Sequence, residues 1–138
     1  LLGGLLHDMG KLVLADQFPE EYGRLLDRAR SEGVALCDLE VQEFGADHGV
    51  VGAYLAGLWG FPPPVVEALL YHHRPAAGFS QGPGVLALVH MANSLEHEAR
   101  ARPEASEADT AFLERVGLAE RFDEWLAAAA AEGEGEDA

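Results

Sequence analysis

Residues 2–14, with the sequence LGGLLHDMGKLVL, carry apolar side chains at intervals of three and four residues. The positions that form this pattern are Leu2, Leu5, Leu6, Met9, Leu12 and Val13. Because this spacing is that of one buried face of an α-helix, it predicts a helix that crosses His7 and Asp8. Outward from this stretch the helical pattern recurs, and no segment sustains the alternation typical of a strand. The sequence therefore predicts an all-α fold, a single bundle of about 6–8 helices.

Proline, glycine and aspartate mark the ends of the next helices. Pro19 suits the first turn of a second helix, which Gly33 closes, and Gly45 stops a short third helix. Asp47 suits the N-cap of a fourth helix that extends to Gly60. The expected buried stripe of this fourth helix is Val51, Tyr54, Leu55 and Leu58. We also expect core or groove packing for Trp59, Phe61 and Tyr71.

The second half of the chain contains four further helical segments. Prolines 62–64 begin a fifth helix, which stops before Pro75 because proline disfavours the α conformation of the residue that precedes it. A long sixth helix is expected from Val85 to about Arg102. Ser106 begins a sequence that resembles a capping box and opens a seventh helix, and residues 118–130 predict the last one.

Composition limits the classes of function. Against 9 Lys and Arg the chain has 24 Asp and Glu, and the net charge of −15 disfavours binding to nucleic acid or to an anionic membrane. No apolar run is long enough for a membrane helix, and no segment resembles a signal peptide. The single cysteine, Cys37, cannot form an internal disulfide. We therefore expect a cytoplasmic protein that binds neither nucleic acid nor membrane.

The length of 138 residues fits one domain. We assign residues 1–130 to the helical domain and residues 131–138 to an acidic flexible tail. The sequence starts at Leu1, without a methionine and inside a helical pattern. We therefore expect a fragment whose upstream part is missing.

Histidine is the residue type whose distribution points to chemistry. Of the six histidines, four lie where predicted helices begin or end: His7, His48, His72 and His73. Neutral imidazole binds zinc, iron or manganese through one ring nitrogen, and Asp8 adds an anionic oxygen. The gaps of 41 and 24 residues between positions 7, 48 and 72 are too long for a local site. Any metal site must therefore be assembled by tertiary packing.

Each of these residues also has a structural interpretation, which the sequence leaves open. His7 fits a helix-end histidine held by a neighbouring carboxylate, and His48 fits an accessory to a helix cap. An imidazolium at position 72 or 73 would be stabilised by the dipole at a helix C-terminus. Lys11 fits a solvated cation as well as a phosphate ligand.

Several segments, in order, resemble a known family. Residues 5–11, LLHDMGK, resemble the His-Asp-x-Gly-Lys signature of the HD superfamily of metal-dependent phosphohydrolases. The wider pattern includes FPEEY at 18–22, FGADHGVVGAYL at 44–55, LWGFP at 58–62, YHHRP at 71–75 and LVHMAN at 88–93. It is similar to the HDOD domain, the HD-related output domain of bacterial signalling proteins, over roughly residues 1–100, the C-terminal half of that domain. The resemblance implies an HD-domain-like helical bundle.

Comparison with active relatives that carry the HD-GYP pattern implies a degenerate metal site. The positions that match ligands are His7, Asp8, His48, His72 and His73, whereas a ligand on a preceding helix falls before Leu1. Arg74 stands in place of a glutamate and Asn93 in place of the closing aspartate, so two anionic groups are lost. Residues 76–83 lack the Gly-Tyr-Pro sequence. Three further residues are candidates for contact with a ligand: Lys11, Arg74 and Asn93.

Because of these departures we expect no cofactor and no metal in most molecules. A residual divalent ion (zinc, iron, manganese or nickel) is expected in a minority. A cation at position 74, at roughly 4–6 Å, would oppose a divalent ion by several kcal/mol at an effective dielectric near 20. We expect His7 or Asp8 to be hydrogen-bonded to another side chain in place of the metal.

Three functions follow from the resemblance and the altered positions. The leading one is a non-enzymatic bacterial output module, for example in a response regulator of a two-component system, acting through a protein partner. The implied partners are receiver, sensor or cyclic di-GMP turnover domains. The alternative is a metal-dependent phosphohydrolase or cyclic di-GMP phosphodiesterase of the HD or HD-GYP type, for which carboxylates at 74 and 93 would be diagnostic. The third is a metal-binding or oligomerisation scaffold.

Overall fold

A computed structural model describes residues 2–99 and 107–133, and every regular element in these ranges is helical. The helices are α1 (Leu2–Leu6), α2 (Met9–Gln17), α3 (Pro19–Glu32), α4 (Leu36–Phe44), α5 (His48–Leu58), α6 (Pro63–Tyr71), α7 (Val85–Ala99), α8 (Thr110–Arg115) and α9 (Ala119–Gly133), with a 3-10 turn at Pro75–Ala77. The predicted all-α fold is confirmed. No helix among the described residues combines the length and the apolar character needed to cross a membrane.

The predicted first helix is wrong in one respect, because it is two helices separated by a turn at His7 and Asp8. In a continuous helix the carbonyl of Gly4 would accept from the amide of residue 8. The His7 side chain takes this acceptor instead, since Nδ1 lies 2.7 Å from the Gly4 carbonyl oxygen. His7 and Asp8 therefore lie in a turn between two helices, whereas a regular helix would direct their side chains about 100° apart.

Helices α3 and α4 begin and end as predicted. Pro19 occupies the first turn of α3, and Gly33 ends it in the left-handed conformation with a φ of 64°. Gly45 ends α4 in the same way with a φ of 78°. A residue with a Cβ is strained in this conformation, so glycine at these positions determines where both helices stop.

Helix α5 has the predicted cap, but the predicted buried stripe is wrong for two of its four residues. Asp47 Oδ1 accepts from the amide of Val50 at 2.9 Å. Two members of the stripe, Tyr54 and Leu58, are about two-thirds exposed, and so is Trp59, for which we expected core or groove packing. The buried face of α5 consists of small residues and its first histidine: His48, Gly49, Gly52, Ala53 and Ala56. Small side chains allow neighbouring backbones to come closer to α5 than a stripe of large residues would.

The C-terminal helices share a hydrophobic core with α6. One core cluster includes Ala68 of α6, Leu86 of α7, Phe112 of α8 and Phe122 of α9. Helix α8 begins after Asp109, whose side chain accepts from the amide of Phe112 at 2.9 Å. The expected start of the capping box at position 106 and the expected end of α7 at 102 lie outside the described residues. Helix α9 crosses the predicted domain end at 130, and positions 134–138 of the predicted tail lie outside the described residues too.

Two further clusters position the N-terminal half. Leu14 of α2 packs with Tyr22 and Leu25 of α3 and with Leu39 of α4. The other cluster joins α5 and α6 through Ala53, Ala56, Val65 and Leu69, with Leu6 and Met9 packed against it. The turn at residues 7–8 therefore lies against α5, which begins at His48, and α6, which ends just before His72 and His73.

Candidate metal centre

Four side chains converge where helices begin or end. Asp8 lies in the turn before α2, His48 is the first residue of α5, and His72 and His73 directly follow α6. Each offers one ligand atom, and the four atoms all lie within 4.8 Å of one another. We call these four residues the Asp–His cluster. The structure thus brings together residues that are up to 65 positions apart in the sequence.

Glycine at two helix crossings permits this convergence. A Cβ on Gly10 would lie 2.8 Å from the carbonyl carbon of His48 and closer still to its oxygen. A Cβ on Gly49 would lie 2.8 Å from the carbonyl oxygen of Leu69 in α6. Because the atoms in the way belong to the backbone, no side-chain rotation could relieve these contacts. The glycine of the His-Asp-x-Gly-Lys sequence is therefore required for the close approach of α2 to α5.

The histidine rings are oriented by hydrogen bonds at Nδ1. His72 Nδ1 donates to the Leu69 carbonyl at 2.8 Å, and His48 Nδ1 donates to Glu40 Oε2 at 2.6 Å. Each ring therefore directs Nε2 towards Asp8 Oδ1, at 3.9 Å from His72 and 3.3 Å from His48. Metal-binding histidines are typically held in this manner, with the second ring nitrogen donating to a carboxylate or a carbonyl.

Two polar atoms of the cluster are buried without a hydrogen-bond partner: Asp8 Oδ1 and His72 Nε2. A buried carboxylate oxygen or imidazole nitrogen without a partner is costly, typically by about 1–3 kcal/mol. Both atoms are ligands that a divalent cation accepts. The cluster therefore fits a metal ion by its donor chemistry as well as by the proximity of its atoms.

The protonation of the cluster is set by burial, by the Asp8 carboxylate and by the neighbouring Glu40 carboxylate. Burial opposes a charge on His48, but the nearby Asp8 carboxylate and the hydrogen bond with Glu40 raise the pKa of this imidazole above its usual value. Burial lowers the pKa of His72 to about 3, and the neighbouring His48 charge adds to this effect. Burial also lowers the pKa of His73, whose Nε2 lies 2.7 Å from Nε2 of His48. His48 can therefore donate to a neutral His73.

Asp8 is held ionised. Burial works against its charge, but His48 and the Lys11 cation hold the pKa of Asp8 well below its usual range. Lys11 Nζ donates to Asp8 Oδ2 at 2.7 Å. Oδ2 therefore faces the lysine, while Oδ1 faces the histidines.

His7 lies beside the cluster rather than within it. Its Nε2 is 3.2 Å from Oδ1 of the buried Asn93 and 3.6 Å from Asp8 Oδ2. Nδ1 of His7 donates to the Gly4 carbonyl, and Nε2 faces the side-chain amide of Asn93. His7 and Asn93 line a cleft of about 330 Å³ between the turn at residues 7–8 and α7, to which Glu96 also contributes.

Arg74, which directly follows His73, forms an ion pair at the surface. Its Nη2 donates to Asp38 Oδ1 at 2.9 Å, and both side chains are more than half exposed. The Asp38 carboxylate offsets the positive charge at the surface. The repulsion that we expected between Arg74 and a divalent ion is reduced accordingly.

Glu40 is a further residue of the site that was not predicted from sequence. Its side chain is fully buried on α4 and bonds both His48 and Tyr22. A signal was present, because Glu40 follows Leu36 by four residues and so lies on the apolar face of a short helix. An acidic residue on such a face indicates a buried partner.

His90 connects the cluster to the C-terminal helices. Its Nδ1 donates to the carbonyl of His72 at 2.7 Å, and its Nε2 accepts from the amide of Asp109 at 2.9 Å. This buried histidine is therefore a structural link between the end of α6 and the start of α8.

Comparison with known proteins gives one family and one relative. A family model described as HDOD domain matches residues 1–75, so the similarity that we saw at residues 88–93 lies beyond the matched range. An uncharacterized protein of Treponema pallidum (strain Nichols) is 30% identical over 71 residues, which are 51% of this chain and 14% of that protein. No solved structure matches the chain.

Proposed function

Because this chain belongs to the HDOD domain family, we propose that it is a non-enzymatic output module that acts by binding a protein partner. The family supports a signalling role related to the HD superfamily. We propose receiver, sensor or cyclic di-GMP turnover domains of a bacterial cytoplasmic pathway as the partner class. The net charge of −15 supports a protein partner over nucleic acid or an anionic membrane.

The observation that carries the non-enzymatic proposal is the set of four convergent protein ligands in the Asp–His cluster. A hydrolytic metal ion needs a free position for water, and catalytic zinc sites typically use three protein ligands. Four protein ligands complete the tetrahedral shell of a structural zinc ion. A six-coordinate manganese or iron ion would keep two positions for water, so for these ions the proposal rests on the neutral amide at position 93. His7, beside this set, is paired with the neutral amide of Asn93 instead of a carboxylate.

A divalent cation held by Asp8, His48, His72 and His73 would supply a fixed link between α2, α5 and the end of α6. Three imidazoles and one carboxylate suit zinc or nickel, and also iron or manganese. In protein isolated without added metal we propose that most molecules carry none. The Lys11 cation on Asp8 Oδ2 opposes a second positive charge at Oδ1, and the proton that His48 Nε2 donates to His73 must leave before an ion binds there.

Activity assays test the non-enzymatic proposal. Tag-free protein is incubated with cyclic di-GMP or bis(p-nitrophenyl) phosphate in the presence of manganese or iron, and we expect no turnover. Turnover that His7→Ala abolishes would contradict the proposal and favour the phosphodiesterase alternative. The Asn93→Asp variant restores a carboxylate beside His7, so activity in this variant alone would identify Asn93 as the cause of the loss.

Metal binding has a separate test. Elemental analysis of tag-free protein should find metal at well below one equivalent, and added zinc should raise the melting temperature. The Asp8→Asn variant should lose most of this increase, because it removes the anionic ligand. Asp16→Asn changes an exposed aspartate of α2, the helix that follows Asp8, and should respond to zinc like the wild type. Equal responses of both variants would contradict the assignment of Asp8 as a ligand.

A further inference from the structure

We propose that Glu40, held in place by Tyr22, is a positioning residue that fixes His48 with Nε2 directed into the Asp–His cluster. The inference rests on the proposed cation-binding role of that cluster and adds a residue outside its ligand set. Glu40 belongs to α4, a helix that contributes none of the four ligand atoms.

Three hydrogen bonds converge on the Glu40 carboxylate. Oε2 accepts from the backbone amide of His48 at 2.9 Å and from its Nδ1 at 2.6 Å. Oε1 accepts from the Tyr22 hydroxyl at 2.7 Å. Because the carboxylate is fully buried, these donors supply the stabilisation that water would otherwise give its charge.

The two bonds to Oε2 hold His48 at two points. One point is the backbone at the start of α5 and the other is the imidazole ring, so a single oxygen fixes the position of the residue and the rotation of its side chain. Nδ1 is thereby committed as a donor, and Nε2 is the remaining ring nitrogen. It lies 2.7 Å from His73 Nε2 and 3.3 Å from Asp8 Oδ1.

Tyr22 completes the arrangement on the other side of the carboxylate. The tyrosine is buried in the core between α3 and α4, and its hydroxyl bonds the oxygen that His48 does not use. Burial, together with the Glu40 charge, raises the pKa of Tyr22 above its usual value, which keeps the hydroxyl a donor. Tyr22 therefore restricts the rotation of Glu40, and Glu40 restricts that of His48.

A structural role alone accounts for this arrangement less well. A buried carboxylate with hydrogen-bonded partners is often no more stabilising than apolar side chains of similar volume. In contrast, a hydrogen bond from the second ring nitrogen of a metal-binding histidine typically improves metal affinity about 10- to 100-fold. The arrangement of Glu40 is the one that such a ligand requires.

The test compares wild-type protein with Glu40→Gln and Glu43→Gln. Both variants remove one acidic charge from α4, but Glu43 is exposed and serves as the matched control. Zinc affinity is measured by competition with a chromophoric chelator. We expect Glu40→Gln to weaken it by about 10-fold or more, and Glu43→Gln to leave it within about 2-fold, since exposed charges interact weakly.

A second readout does not depend on metal. In metal-free protein with 15N-labelled histidine, the short bond to Glu40 should give the His48 Nδ1–H proton a slowly exchanging, downfield NMR signal. This signal should move in Glu40→Gln and be unchanged in Glu43→Gln. Tyr22→Phe removes only the bond to Oε1, so it should keep the signal and weaken zinc binding less than Glu40→Gln does.

The possible failures are distinguishable. Wild-type protein that takes up no zinc would refute the cation-binding role and, with it, the ligand role of His48. Zinc uptake by the wild type with equal affinity in Glu40→Gln would refute the positioning role alone. So would a His48 Nδ1–H signal that is absent from the wild type or unchanged in Glu40→Gln. Circular dichroism of each variant establishes that the comparison is made on folded protein.

Discussion

Substitution of Gly10 by alanine tests the close approach of α2 and α5. The added Cβ would lie 2.8 Å from the carbonyl carbon of His48, whereas unstrained carbon atoms are separated by about 3.5–4.0 Å. The shortage is thus at least about 0.7 Å, against backbone. Overpacking of this kind costs about 1–3 kcal/mol, and we expect the upper end because the His48 backbone cannot rotate away. The higher helix propensity of alanine returns about 1 kcal/mol, which leaves a net loss of about 2 kcal/mol.

The assay is thermal unfolding followed by circular dichroism. For a domain of this size a loss of about 2 kcal/mol lowers the melting temperature by roughly 6–8 °C. The control is Gly57→Ala, because Gly57 lies on α5 with open space around its Cβ position and should gain up to about 1 kcal/mol. A Gly10→Ala protein that melts at or above the wild-type temperature would refute the argument that glycine at position 10 is required by packing.

Three further predictions concern stability. The pKa of His72 is about 3 in the folded state and 6.5 in the unfolded chain. As the pH falls below 6.5 the unfolded chain therefore binds a proton that the folded protein does not, and the free energy of unfolding decreases. In chelator-treated protein this residue alone should contribute a loss of about 1.4 kcal/mol at pH 5.5, and urea titrations of the wild type and His72→Gln at pH 7.5 and 5.5 would show the difference. Asp47→Ala removes the cap on the Val50 amide and should cost about 1 kcal/mol in urea unfolding, unless another group replaces the cap. Phe112→Ala should cost about 3–5 kcal/mol, because the ring is fully buried, and a loss below about 1 kcal/mol would contradict its core position.

Much of the helical framework could be predicted from sequence because its determinants are local. Pro19, Gly33 and Gly45 act on the backbone within one turn of their own position, so their effect does not depend on what packs against α3 and α4. Asp47 likewise caps α5 through an amide three residues away. The family signature is similarly local, since HDMGK is contiguous.

The candidate site depends on which helix faces meet, which no local pattern specifies. Periodicity placed Tyr54 and Leu58 in the core of α5, but the close approach at Gly10 and Gly49 buries the face made of small residues instead. The convergence of Asp8 with His48, and the pairing of Arg74 with Asp38, likewise follow from packing between elements that are distant in sequence.

Glu40 shows the boundary between the two kinds of information. The sequence places an acidic side chain on the apolar face of α4, which is enough to indicate an unusual buried group. Its partners, Tyr22 and His48, lie 18 residues before it and 8 residues after it, on helices whose relative orientation is set by the core. The sequence by itself determined the helical class of the fold, the ends of α3 and α4 and the residue types available for chemistry. Tertiary packing alone decided which atoms meet, because contact between them depends on how whole helices lie against one another.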